Sequence, residues 1–210
     1  MISAFTFSAM PRLIFGPGTI GRLGEIAASF GKNALLVTGS EALERSGHLS
    51  RMLEDLKAVG MHVYQCRIAG EPSPAMVDQA ATDLKGKGVG VVLAVGGGSV
   101  LDAGKAIAAM LKENGSVIDF LEGVGKRTPS GESVPVVAVP TTSVTGSEAT
   151  KNAVISRVGT GGFKKSLLHD NYIPRLAILD PTLCGSAPPS VTAACGMDAL
   201  TQLIESYVSA

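Results

Sequence analysis

The sequence predicts an α/β fold, a parallel sheet with flanking helices, on three observations. Strand-like apolar runs recur at 33–38 (NALLVT), 61–66 (MHVYQC), 89–95 (VGVVLAV), 134–139 (VPVVAV) and 175–179 (RLAIL). Helical patterns separate the first three, and such β-α-β alternation implies parallel strands with helices on both faces. The run 89–95 is apolar and mostly β-branched, as in a strand covered on both sides.

In chain order, the strand 33–38 ends at Gly39-Ser40, where Ser40 precedes an amphipathic stretch. The strand 61–66 is followed by Glu71-Pro72-Ser73, and Ser73-Pro74 supplies an N-cap and an N1 proline for a helix over 75–86. The strand 89–95 runs into Gly96-Gly97-Gly98-Ser99 and an Ala-rich helix over 100–111. Residues 123–133 and 157–163 have the composition of exposed turns, the first leading to the strand 134–139 and Thr141-Thr142. A long helix over about 190–209 closes the chain, and its apolar residues Leu200, Leu203, Ile204 and Tyr207 call for a partner surface.

The glycine turn is the most informative motif. Backbone N–H groups there can approach an anion with no Cβ in the way, and the helix that follows aims its free N–H groups at the same point. The pyrophosphate of a dinucleotide fits such a turn. Two standard phosphate motifs fail, however. A Walker loop requires a glycine where Ser99 stands and a Ser or Thr where Ala106 stands, and the third glycine of the dinucleotide fingerprint falls at Leu101. An alternative role for Ser99 and Asp102 is a capping box at the helix start, which is compatible with ligand binding. Ligands of parallel sheets sit at the C-terminal strand ends, so the loops at Gly39-Ser40, Glu71 to Ser73, Gly96 to Ser99 and Thr141-Thr142 converge on one crevice.

The segments GGGSVLDAGKAIA (96–108), PTTSVTGSEAT (140–150) and AILDPTLCGSAPPSVTAACGMDALTQLIESYVS (177–209) resemble, in order, signatures of the iron-containing (group III) alcohol dehydrogenase family, related to glycerol dehydrogenase and dehydroquinate synthase. The opening PRLIFGPGTIGRLGEI (11–26) resembles its first strand and turn. The resemblance implies a Rossmann-like dinucleotide-binding domain over 1–186 and, over 187–210, the first helix of an all-helical metal and substrate domain. It implies NAD or NADP as cofactor, a small alcohol or aldehyde as substrate, and a homodimer or larger assembly. It places Thr141, Thr142 and Thr145 against the cofactor, although Ser/Thr turns alone also explain that cluster. By its distance from Pro174, Lys164 matches a family lysine that reaches the nucleotide. An acidic residue at the end of the first helix-flanked strand would repel a 2′-phosphate. NAD-preferring relatives often carry Asp there; this chain has Gly39, so NADP is expected to be accepted at least as well as NAD.

For the divalent metal, iron or zinc, the family uses an Asp and a His one helical turn apart, joined by histidines of the helical domain. Here Asp198 matches and Gln202 replaces the imidazole on the same helix face. An amide oxygen is a poorer ligand for iron or zinc, so the 210 residues alone are expected to bind metal weakly and turn over little substrate. No catalytic residue stands out; Glu148 reads as a capping acid. The alternatives are a glycerol dehydrogenase-like or dehydroquinate synthase-like enzyme, and a nucleotide-binding module inactive without the C-terminal domain.

Bulk composition narrows the partners. The 210 residues carry 18 cationic and 18 anionic side chains, with no long run of like charge, which disfavours nucleic acid and anionic membranes. No apolar stretch approaches the ~18 residues of a membrane span, and no secretory signal is visible, so a cytoplasmic location is expected. Cys66, Cys184 and Cys195 are too few and too scattered for a disulfide framework or a zinc site.

Overall fold

The computed structural model describes residues 4, 9–39 and 41–209, so Ser40 lies outside the described residues. Six strands form a parallel sheet: β1 (Arg12–Phe15), β2 (Asn33–Thr38), β3 (His62–Arg67), β4 (Val91–Gly96), β5 (Val136–Pro140) and β8 (Leu176–Leu179). Their order is β1-β8-β5-β4-β2-β3, and every pairing is parallel. The five expected strands are all present, with ends shifted by at most two residues, and β1 is the strand that the opening segment resembles.

Side chains alternate along each strand, so the sheet builds two cores. Val91, Leu93 and Val95 pack with Leu36 under α1 (Leu23–Ala28) and α3 (His48–Ala58), with the short α2 (Ala42–Arg45) contributing Leu43. Val92 and Ala94 face the other way, with Leu35 and Val37, onto α4 (Pro74–Leu84) and α5 (Gly98–Met110). Ser73 caps α4, accepting from the Met76 N–H at 3.3 Å, with Pro74 at the first helical position.

An antiparallel hairpin that the strand pattern did not reveal, β6 (Asn152–Arg157) and β7 (Phe163–Leu168), lies outside the main sheet. Ala153, Ile155 and Leu167 pack it into the α4/α5 core, and the expected turn at 157–163 joins its strands. Arg157 and Phe163 are the pair that flank that turn.

Two local constraints hold the sheet ends. A Cβ on Gly104 would lie 2.6 Å from the Ala94 Cβ, so only glycine lets α5 sit this close to β4. The Asp180 carboxylate, 2% exposed, accepts from the Ile20 N–H at 3.0 Å and from the Thr182 N–H at 3.0 Å and hydroxyl at 2.7 Å. It thereby ties the turn after β1 to the end of β8. Burial works to raise the Asp180 pKa, but these donors and the Gly18 N–H outweigh it and hold it below the usual aspartate value.

The last helix, α6 (Pro189–Val208), buries none of its residues, and Leu203 and Tyr207 are 69% and 90% exposed. Among the described residues no helix is long and apolar enough to cross a membrane.

Replacing Gly104 with Ala overpacks the helix–strand contact and should cost about 1–3 kcal/mol, read from urea unfolding. Asp180→Asn turns an amide N–H₂ toward backbone donors and should cost about 1–3 kcal/mol at neutral pH. Because the folded pKa is depressed, the carboxylate's stabilisation is present above the ordinary aspartate value and lost as pH falls through the lower folded one. The gap between the two proteins should therefore narrow at the acid end of a thermal-melt series.

Candidate nucleotide-binding site

β2 and β4 are neighbours, but the chain leaves them onto opposite faces, toward α3 and α5 respectively. This divergence is the switch point of a doubly wound sheet, where a crevice opens at the C-terminal strand ends. Gly39 and Gly96 stand at those two ends, both against Val100 of α5. A Cβ would lie 3.3 Å from Val100 Cγ2 at Gly39 and 2.6 Å from it at Gly96.

The turn is built differently from the capping-box reading. Gly97, with extended backbone, is the N-cap of α5 and supplies no side-chain cap, so Ser99 and Asp102 lie inside the helix. The glycine turn itself enters the helix, leaving the hydroxyl and the carboxylate free for other partners. The uncapped first turn borders a hollow of about 390 Å³ lined by Gly98, Ser99, Asp102, Thr145, Lys164, Asp198 and Gln202 among others. Thr145 leans over Gly98, where a Cβ would come within 2.7 Å of Thr145 Cγ2. Thr141 and Thr142 line an adjoining hollow of about 540 Å³ on the α2 side, and the Thr141 N–H donates to the Gly96 carbonyl at 2.9 Å. The expected cofactor residues thus surround the glycine turn from both sides, Ser40 excepted.

Asp102 is held from two directions. Its Oδ1 accepts from the Ser147 hydroxyl at 2.6 Å and lies 3.1 Å from the Lys105 ammonium. Lys105 is only 1% exposed and donates to the carbonyls of Ser147 (2.9 Å), Thr150 (3.4 Å) and Asn152 (2.5 Å). Burial pulls its pKa below the ordinary lysine value, against the opposing pull of Asp102 and Glu148. In the sequence the one signal of Lys105 is a lone cation inside the helical run VLDAGKAIAAM.

On the far wall, Lys164 Nζ pairs with Glu71 Oε2 at 3.1 Å, and Ser156 Oγ donates to the same oxygen at 3.1 Å. The Lys164 ammonium, chiefly, holds the Glu71 carboxyl below its usual range; burial opposes this, and hydrogen bonds from Ser156 and Ser99 assist it. His169 does not line this hollow; its Nδ1 accepts from the Asn171 N–H at 3.1 Å.

Asp198 and Gln202 share a face of α6 as expected, and the Gln202 amide nitrogen donates to Asp198 Oδ1 at 3.2 Å. Among the described residues no three His, Cys, Asp or Glu side chains cluster as a metal site. One carboxylate, already accepting from an amide, does not fit an iron or zinc ion.

Fold and crevice together define the Rossmann-like class of α/β domains. The chain belongs to the iron-containing alcohol dehydrogenase family, whose pattern it matches over residues 11–181. It is 36% identical over 204 residues to a probable alcohol dehydrogenase of Escherichia coli K12, covering 96% of this chain and 50% of that protein. Its structure resembles an alcohol dehydrogenase from Oenococcus oeni, with TM-score 0.86, 31% identity and coverage of 98% and 53%. It also resembles a sulfoacetaldehyde reductase from Bifidobacterium kashiwanohense in complex with NAD+, with TM-score 0.83, 31% identity and coverage of 97% and 53%. The chain spans about half the length of these relatives.

Removing the Lys105 ammonium leaves Asp102 and three carbonyls without their shared donor. Lys105→Met should cost about 3–5 kcal/mol, measured by denaturant unfolding, as for a broken buried ion pair.

Proposed function

We propose that this chain binds a nicotinamide dinucleotide across the crevice and forms the cofactor-binding part of an oxidoreductase that interconverts alcohols with aldehydes or ketones. The observation that carries the reading is the uncapped first turn of α5 meeting Gly96–Gly98 at the switch point between β2 and β4. Free N–H groups and the helix dipole favour a pyrophosphate there. The Thr141, Thr142 and Thr145 hydroxyls flank that point and suit the nicotinamide amide or the phosphates, while Lys164 adds a cation from the opposite wall. The absence of an acid at Gly39 leaves room and charge tolerance for a 2′-phosphate. Bound cofactor would supply hydride transfer at the nicotinamide ring, and the chain's own residues bind and orient it.

Residues 1–186 serve as the dinucleotide-binding domain in this reading, and 187–210 as the first helix of a helical domain whose surface would cover Leu200, Leu203, Ile204 and Tyr207. We assign the whole protein to the cytoplasm, as a homodimer or larger assembly. The donor set on α6 does not fit a metal by itself, and no step is assigned to one.

Titrating NADH and NADPH into the chain while following nicotinamide fluorescence tests the reading. Saturable binding is expected, with NADPH at least as tight as NADH. Gly98→Val, which drives a side chain into Thr145 at the turn, should weaken both at least tenfold. Binding of neither cofactor to the folded chain would overturn the nucleotide reading, and a hundredfold preference for NADH would overturn the role given to Gly39.

A further inference from the structure

The hollow beside α5 already contains an anion. Glu71 comes from the loop after β3, and its single oxygen Oε2 lies 3.1 Å from Lys164 Nζ and 3.1 Å from Ser156 Oγ. Ser99, in the first turn of α5, lines the same hollow as Glu71. An ammonium and a hydroxyl converging on one carboxylate oxygen, beside an uncapped helix N-terminus, make the donor set that a phosphoryl group uses. Neither neighbouring helix start depends on Glu71: α4 is capped by Ser73, and α5 starts at Gly97 without side-chain help.

We propose that Glu71 is a resident stand-in for a nucleotide phosphate, holding Lys164 at the wall of the crevice and giving it up when the dinucleotide binds. This rests on the nucleotide-binding reading above and adds to it a residue that sets affinity. Side chains of Glu71 and Lys164 are 48% and 65% exposed, so the pair is weak and exchangeable rather than structural. A dinucleotide that takes over Lys164 must first displace the carboxylate and then tolerate its charge nearby. Glu71 therefore opposes binding, and its removal favours it. Weak binding of this kind also shortens the time a spent cofactor stays bound, since affinity differences between related complexes fall mostly on dissociation.

The test is a double-mutant cycle with the full chain, reading NADPH and NADH dissociation constants by nicotinamide fluorescence. Glu71→Gln keeps the shape and the hydrogen-bonding capacity but removes the charge. It should tighten both cofactors about fivefold, the equivalent of an exposed ion pair no longer in competition. In a Lys164→Ala background the same substitution should change affinity less than twofold, because the contested cation is gone. Unchanged or weaker binding by Glu71→Gln overturns the proposal and would make Glu71 a positioning partner of Lys164 in the complex. An equal gain with and without Lys164 also overturns it, as it reports only general repulsion. Failure of the wild-type chain to bind either cofactor is a separate result, which removes the nucleotide reading itself. Thermal melts of the variants confirm folding, which these half-exposed substitutions should shift by no more than a few degrees.

Discussion

A buried ammonium governs this architecture. Lys105 sits on a helix whose other polar side chains are Ser99 and Asp102, and a lysine with almost no exposure is tolerated only where oxygen atoms replace its water. Those oxygens come from Asp102 on the same helix and from the segment Ser147–Asn152, which leads into the hairpin. Gly104, its neighbour in sequence, presses the helix onto β4 from the other side. One turn of α5 therefore fixes the helix against the sheet and the hairpin against the helix. Since Thr145 lies two residues before Ser147, the same clamp decides where that side chain stands over the glycine turn.

Two ion pairs of equal length border the crevice and differ in kind. Lys105–Asp102 and Lys164–Glu71 both span 3.1 Å, but the first is enclosed and the second is half in solvent. Solvent screening leaves the exposed pair worth at most about 1 kcal/mol, whereas breaking the enclosed one strands a charge in low dielectric. The chain thus combines a fixed charge pair beneath the site with a labile one on its wall, while its overall formal charge is zero.

Legibility in the sequence followed burial. Strands covered on both faces, such as VVLAV at 91–95, announce themselves by composition, and the glycine turn by its lack of side chains. The hairpin did not, because β7 carries adjacent lysines that its pleat sends to opposite faces, Lys164 into the hollow and Lys165 toward Gly123. Ser99 and Asp102 have the spacing of a capping box, but the helix begins earlier, with Gly97 as its N-cap, and Asp102 instead accepts from Ser147. Ser147 stands in the hydroxyl-rich segment PTTSVTGSEAT, but its bond to Asp102 is not legible there, and Ser156 has no signal in the sequence, since each acts through a neighbour distant along the chain. The spacing of Asp198 and Gln202 places them on one helical face, but spacing does not fix the rotamers by which the amide donates to the carboxylate.

The position of β1 has a consequence for how the chain acquires its structure. Among the described residues β1 pairs with β8 alone, Arg12 opposite Leu176, and β8 completes the sheet by inserting between β1 and β5. Among the six described strands of this sheet, the first to be synthesised thus pairs with the last, waiting until nearly the whole sheet has been made. Its Leu13 and Phe15 stay 48% and 75% exposed even after pairing, so the waiting strand is an apolar edge open to wrong partners. Long-range parallel closure of this type is slow and sets the interval during which a nascent chain depends on chaperones.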